Sequence, residues 1–133
     1  MARILCVDDD PDTVAVKREI LERAGHSVTA CISADEAFLE LERQSFDAVV
    51  TDWRLGNRLG RSVVQMAKAH SGVPVVVVSG YVSEAFQAAE PLADLYLEKP
   101  VDPRELVTVM EALLRARNGS SAGITSEPAK RNA

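Results

Sequence analysis

Short apolar runs alternate with longer stretches of helical period along most of this chain, and charged residues stand at the ends of three of the runs. Arg3-Ile4-Leu5-Cys6-Val7 reads as a first strand, stopped by Asp8-Asp9-Asp10. Pro11 suits a first helical position. It opens a helix with Val16, Ile20, Leu21 and Ala24 on one face that stops at Gly25. Ser27 to Cys31 is the second strand, and Ser33-Ala34-Asp35-Glu36 reads as a capping box. Ala34, Phe38 and Leu41 then keep helical spacing to about Arg43.

Asp47-Ala48-Val49-Val50-Thr51 is a third strand ending at Asp52, followed by a Gly- and Asn-containing loop from Leu55 to Gly60. A short helix runs from Arg61 to Ala69, with Val63, Met66 and Ala67 on one side. Val73-Pro74-Val75-Val76-Val77-Val78 is almost continuously β-branched, as a central strand covered on both faces requires. Pro74 is tolerated there because it stands near the strand start. An Ala-rich helix from Ser83 to Glu90 ends at Pro91. Asp94-Leu95-Tyr96-Leu97-Glu98 is the fifth strand, closed by Lys99-Pro100. Asp102-Pro103-Arg104-Glu105 starts the last helix, striped by Leu106, Val109, Met110 and Leu113.

Strict alternation with right-handed crossovers predicts an α/β fold: a doubly wound, five-stranded parallel sheet with helices on both faces. From Asn118 onward the composition turns to Gly, Ser, Ala, Thr, Pro and scattered charge, with Ile124 the only large apolar residue. The reading is therefore one domain over residues 1–117 and a disordered tail over 118–133, too poor in apolar surface to offset its ordering entropy.

In an open parallel sheet the ligand crevice lies beyond the carboxyl ends of the strands. Asp8, Asp9, Asp52 and Lys99, distant in sequence, converge there on this topology. Carboxylates with one ammonium form the composition of a magnesium-dependent phosphoryl site. Trp53, next to Asp52, is expected half exposed at the crevice mouth. Asp10 and Asp12 read as favourable acidic residues at a helix N-terminus, and Glu90 and Glu98 as solvated charges.

Composition narrows the function classes. The 133 residues, 47% of them hydrophobic, suffice for one real core. A net charge of −5 with no basic stripe argues against direct nucleic-acid binding. No apolar run is long enough for a bilayer and no basic-apolar leader opens the sequence, so a cytoplasmic protein without a membrane partner is expected. Cys6 and Cys31 fall in strand-like runs and read as buried reduced thiols. With His26 and His70 in turn or helix-end positions, they form no zinc site.

Four pieces carry a family resemblance: Ile4-Leu5-Cys6-Val7-Asp8-Asp9-Asp10, Val49-Val50-Thr51-Asp52, Val76-Val77-Val78-Ser79-Gly80 and Tyr96-Leu97-Glu98-Lys99-Pro100. In this order, each at a predicted strand end, they resemble the receiver domain of two-component response regulators over about Met1 to Arg117. The resemblance implies a flavodoxin-like (βα)5 sheet in the order 2-1-3-4-5. It implies that Asp52 is the phosphoacceptor, taking a phosphoryl group from a histidine kinase or histidine phosphotransfer protein as an acyl phosphate. Asp9, Asp8, Asp52 and the backbone carbonyl of Arg54 would hold Mg2+. Lys99 would pair with the carboxylate and then with a phosphoryl oxygen, Ser79 would close onto the phosphoryl group, and Tyr96 would be the aromatic switch. Arg54 and Tyr81 would flank the phosphoryl group and tune its lifetime, and the Lys99–Pro100 bond would be cis. Switching would act on the face of the fourth helix, fifth strand and fifth helix and signal to a downstream protein target.

The sequence departs from the family where many receivers carry a proline four positions after the phosphoacceptor and an Asp-Gly pair ending eight positions after it. Gly56, Leu59 and Gly60 stand there, so a more mobile loop is expected. Plainer readings stay open for single residues: Asp8 as a helix cap, Ser79 as a strand-end hydroxyl, Tyr96 as an edge-strand aromatic, Lys99 as a solvated lysine. Three functions compete. The first is a phosphorylatable receiver, not an enzyme beyond self-dephosphorylation, working as a single-domain regulator, a phosphorelay shuttle or the receiver of a larger regulator. The second is a magnesium-dependent aspartyl phosphatase, whose Asp-x-Asp-x-Thr/Val pattern neither Asp8-Asp9-Asp10-Pro11-Asp12 nor Asp9-Asp10-Pro11-Asp12-Thr13 completes. The third is a receiver-like interaction module that never turns over phosphate, against which the intact Asp9, Asp52, Ser79 and Lys99 stand.

Overall fold

Alternate residues of the first strand enter different cores. In the computed structural model, which describes residues 2–56, 58–80 and 93–123, Leu5 and Val7 of β1 (Arg3–Val7) belong to one buried cluster and Ile4 and Cys6 to another. That two-residue period is what a strand covered on both faces produces. The same holds along β3 (Ala48–Asp52) and β4 (Val75–Ser79), in which every residue is buried. β2 (Ser27–Cys31) and β5 (Leu95–Glu98) complete the sheet as its edges. All neighbours pair in parallel, in the spatial order β2-β1-β3-β4-β5 when the short ribbon after β3 is left out of the count.

Helices cover both faces, so the sheet is doubly wound. α1 (Pro11–Arg23) and the last described helix, α4 (Pro103–Gly123), pack Val14, Leu21, Leu106, Met110 and Leu114 on the side of Ile4, Cys6, Val50, Val76 and Val78. α2 (Ala34–Arg43) and α3 (Arg61–Ser71) bring Ala34, Ala37, Leu41, Val63, Val64 and Ala67 to the other side. The capping box forms as the sequence predicts: the Ser33 hydroxyl accepts from the Glu36 amide at 3.1 Å, and Glu36 accepts from the Ile32 amide at 2.8 Å. Cys6 and Cys31 are buried free thiols, both pushed up to about 12 by burial.

The core face of α1 is Val14, Lys17 and Leu21, while Val16 is 56% exposed. Counting apolar residues misplaced the helix phase because Lys17 stands on the buried face among them. α3 runs two residues past Ala69 and ends at Gly72, whose φ of 64° is the left-handed cap conformation. α4 continues to Gly123, so the first residues of the predicted tail are helical; once a helix exists, each further residue adds a hydrogen bond without a new nucleus. Residues 124–133 lie outside the described residues, as do the predicted helix Ser83 to Glu90 and Tyr81. Trp53 is 1% exposed rather than half exposed. It extends the parity of Val49 one step past β3 and enters the α2/α3 cluster.

The loop after Asp52 is a two-stranded antiparallel ribbon, Arg54–Leu55 against Arg58–Leu59. Gly60 closes it by donating its amide to the Trp53 carbonyl. A Cβ on Gly60 would lie 2.0 Å from the Asp52 carbonyl oxygen and 3.2 Å from Trp53 Cα. Backbone contacts of this kind cannot be relieved by turning a side chain. The Gly60→Ala variant is therefore expected to lose about 1–3 kcal/mol of stability in denaturant unfolding, with the largest amide shift changes at Asp52 and Trp53; an unchanged unfolding midpoint would contradict the close approach.

Candidate functional site

The site is built where β1 and β3 end side by side. Val7 pairs with Thr51 across the two strands, so Asp8, one residue on, and Asp52 emerge together at the carboxyl edge. Asp10 starts α1 as its N-cap: its carboxylate accepts from the Asp12 amide at 3.0 Å and from the Thr13 hydroxyl at 2.8 Å. The Thr13 hydroxyl, and next the Asp12 amide, hold this carboxyl below the usual carboxylate range. With Asp10 committed to the helix and Asp12 in its first turn, Asp8 and Asp9 are left to the crevice.

Asp8 is buried and is no helix cap. Its Oδ1 accepts from the Asp10 amide at 3.0 Å, and its Oδ2 accepts from Lys17 Nζ at 2.9 Å. Asp9 is exposed, and its Oδ2 accepts from the Gly56 amide at 3.0 Å, tying the β1 end to the ribbon. Gly56 has φ 64°. A proline at this position would supply neither that conformation nor that N–H, so the departure from the common family pattern has a local physical cause. Asp8, Asp9 and Asp52 each offer an oxygen, and these lie within 4.8 Å of one another, the only such acidic group among the described residues.

Asp52 is held unevenly. Lys99 Nζ, delivered by the turn after β5, donates to its Oδ2 at 2.8 Å. Its Oδ1 is buried without a hydrogen-bond partner, with Lys17 Nζ 3.7 Å away. Burial raises the Asp52 carboxyl above the ordinary value; Lys99 and Lys17 oppose this and Asp8 adds to it. Burial by itself would lower Lys99, but its hydrogen bond to Asp52 and the charges of Asp52, Asp8 and Asp9 outweigh that and hold it above the ordinary lysine value. Lys99 is thus engaged rather than solvated.

An all-oxygen set of three carboxylates, with one buried oxygen lacking a hydrogen-bond partner, suits a hard divalent cation such as Mg2+. Ser79 is buried at the end of β4, where its carbonyl accepts from the Lys99 amide at 2.9 Å. Asp52, Arg54, Ser79, Gly80 and Lys99 line a small cavity of about 250 Å³. The Lys99–Pro100 bond is cis. Tyr96 is half-buried against the α2/α3 cluster, and its hydroxyl accepts from the Ala93 amide at 3.4 Å. Sequence reasoning missed Lys17 altogether. The available signal was its place at spacing three and four between Val14 and Leu21, a lysine on an otherwise apolar helix face.

Residues 4–111 match the response regulator receiver domain family, and the chain belongs to that family. It is 38% identical over 128 residues to the transcriptional regulatory protein PrrA of Mycobacterium tuberculosis, covering 94% of this chain and 54% of that protein. The chain thus spans about half the length of the curated relatives it matches. Among solved structures, a CheY-like receiver domain protein of Methanospirillum hungatei JF-1 superposes with a TM-score of 0.81 at 29% identity, covering 90% of this chain and 98% of that one. The BeF3-activated DrrB receiver domain superposes with a TM-score of 0.72 at 25% identity, covering 86% and 98%.

The raised Asp52 carboxyl has a stability consequence. An acid whose folded value lies above its unfolded one stabilises the fold only below the unfolded value, and this contribution is lost as pH rises through the folded one. At neutral pH without metal, the ionised Asp52 is therefore a burden on the fold. Lys99 is 40% exposed and can return to water, and Lys17 keeps Asp8. Asp52→Asn is expected to raise unfolding stability in chelator at pH 7.5 by about 1 kcal/mol. The gain should shrink as pH falls toward the ordinary carboxylate range. Equal or lower stability of the variant at pH 7.5 would contradict the sign.

Proposed function

We propose that this chain is a phosphorylatable receiver that takes a phosphoryl group onto Asp52 from a histidine kinase or histidine phosphotransfer protein. The observation that carries the reading is the asymmetry of Asp52. One oxygen is held by Lys99 at 2.8 Å, the other is buried without a hydrogen-bond partner, and the carboxylate is grouped with those of Asp8 and Asp9. One carboxylate oxygen of Asp52 attacks phosphorus, the phosphorus–nitrogen bond to the donor imidazole breaks, and the imidazole leaves with the bonding pair. Lys99 shifts from the carboxylate to a phosphoryl oxygen, and Ser79, on the wall of the same cavity, donates its hydroxyl to another. Asp9, Asp8, Asp52 and the Arg54 carbonyl are the residues that would hold Mg2+, which when bound neutralises charge on the transferring group. The chain supplies position and electrostatics rather than turnover, so it is not an enzyme in this reading. Activation of the DrrB receiver with BeF3 supports the assignment by likeness.

Tyr96 is read as the switch that follows Ser79, since it stands half-buried on β5, the strand paired with β4, against the α2/α3 cluster. The signal then passes from β5 and α4 to a protein target, the predicted helix Ser83 to Glu90 of the same expected face lying outside the described residues. The PrrA relative is named a transcriptional regulatory protein. For this chain, at net charge −5, a protein target in the cytoplasm is preferred over direct contact with nucleic acid. Among the described residues no helix is long and apolar enough to cross a membrane.

Intact-protein mass after incubation with acetyl phosphate and Mg2+ tests the reading. One phosphoryl adduct is expected on the wild type, and none on Asp52→Asn or with chelator. A folded wild type that binds Mg2+ and gains no adduct from acetyl phosphate or from a panel of histidine kinases would favour the interaction module instead. Arg54 and Tyr81 to alanine together should shorten the adduct half-life, as bulk that hinders attacking water is removed; an unchanged half-life would refute their tuning role.

A further inference from the structure

Lys17 is the only buried cation among the described residues, 6% exposed on the core face of α1. Its stem runs between Val14 and Leu21, and its ammonium reaches out of the apolar cluster to the crevice. Nζ stands 2.9 Å from Asp8 Oδ2 and 3.7 Å from Asp52 Oδ1. Asp52 therefore lies between two ammonium groups, Lys99 on one oxygen and Lys17 near the other. A leucine or methionine would fill the same helix face without desolvating a charge. What the lysine adds is charge at the site.

We propose that Lys17 is a resident cation of the phosphorylation site. It is a positioning residue that fixes Asp8, weakens divalent-cation binding to the unphosphorylated site, and supplies charge that the phosphorylated site needs. The proposal rests on the reading of Asp52 as phosphoacceptor and of Asp8, Asp9 and Asp52 as the metal group. The charge count gives it direction. Before phosphorylation, three carboxylates face two ammonium groups, so a divalent cation leaves the site one positive charge in excess. After phosphorylation, the acyl phosphate brings about two negative charges in place of the one on Asp52. Asp8, Asp9 and the phosphoryl group then match the divalent cation, Lys99 and Lys17. Without Lys17 the balance closes on the unphosphorylated, metal-bound site instead.

The orphan oxygen of Asp52 sharpens this. A divalent cation that Asp52 helped to hold would share that carboxylate with an ammonium 3.7 Å from its Oδ1. Repulsion between a single and a double charge a few ångströms apart is worth about tenfold in affinity even at the dielectric constant of water.

The test is an MgCl2 titration of the full chain, followed by amide chemical shifts, on wild type, Lys17→Met and Lys17→Arg. Lys17→Met is expected to bind Mg2+ about tenfold tighter than wild type, and Lys17→Arg, which keeps the charge, to stay within about twofold. A merely structural lysine would move neither constant in this pattern. Lys17→Gln is neutral, can still hydrogen-bond to Asp8, and carries the same expectation if Lys17→Met fails to fold. Equal or weaker Mg2+ binding by the neutral variants overturns the proposal and leaves the metal reading standing. No saturable Mg2+ response in wild type or neutral variants overturns both. Binding by the neutral variants alone supports the proposal.

Discussion

A carboxylate at the buried end of a central strand is the constraint around which the rest of this molecule is arranged. Asp52 closes β3, where every residue is buried, and it brings a negative charge to a place where water cannot solvate it fully. Each nearby element contributes something that makes this tolerable. β5 ends in the turn that delivers Lys99, and the Lys99 amide bonds to the Ser79 carbonyl, so the lysine is fixed to the β4 terminus as well as to its own strand. α1 places Lys17 against Asp8 and near Asp52. One oxygen of Asp52 is nonetheless left without a hydrogen-bond partner. Buried polar atoms are seldom left so, and those that are call for an explanation in ligand or strain.

Most of the fold was legible because two periods were clean. Continuous β-branched runs gave β3 and β4, alternation with helical segments gave the doubly wound class, and charged residues at the ends of three runs gave the crevice. The limits of that reading are specific. Val16, Ile20, Leu21 and Ala24 looked like the buried face of α1, yet the helix docks on Val14 and Leu21 with a lysine between them. Hydrophobicity alone sets a helix phase only when no charged side chain has a buried partner to reach, and Asp8 is such a partner. Adjacency to Asp52 suggests that Trp53 faces the crevice mouth, yet strand parity with Val49 carries it into the core. The ribbon after Asp52 went unread because two-residue strands carry no pattern of their own; pairing across it is a product of the surrounding structure.

The loop that departs from the family pattern shows how local backbone chemistry and the acidic site depend on one another. Asp9 is exposed, and a carboxylate on the surface has no reason by itself to hold one orientation. The Gly56 amide gives it one, and glycine's left-handed backbone makes that amide available at no steric cost. Gly60 contributes in another way. Its φ is ordinary, and what it lacks is the Cβ that would collide with the Asp52 carbonyl. The two glycines thus act on the two carboxylates from opposite ends of one short ribbon, one by offering an N–H and the other by leaving room. A side chain at either position would disturb the acidic group without touching a carboxylate oxygen.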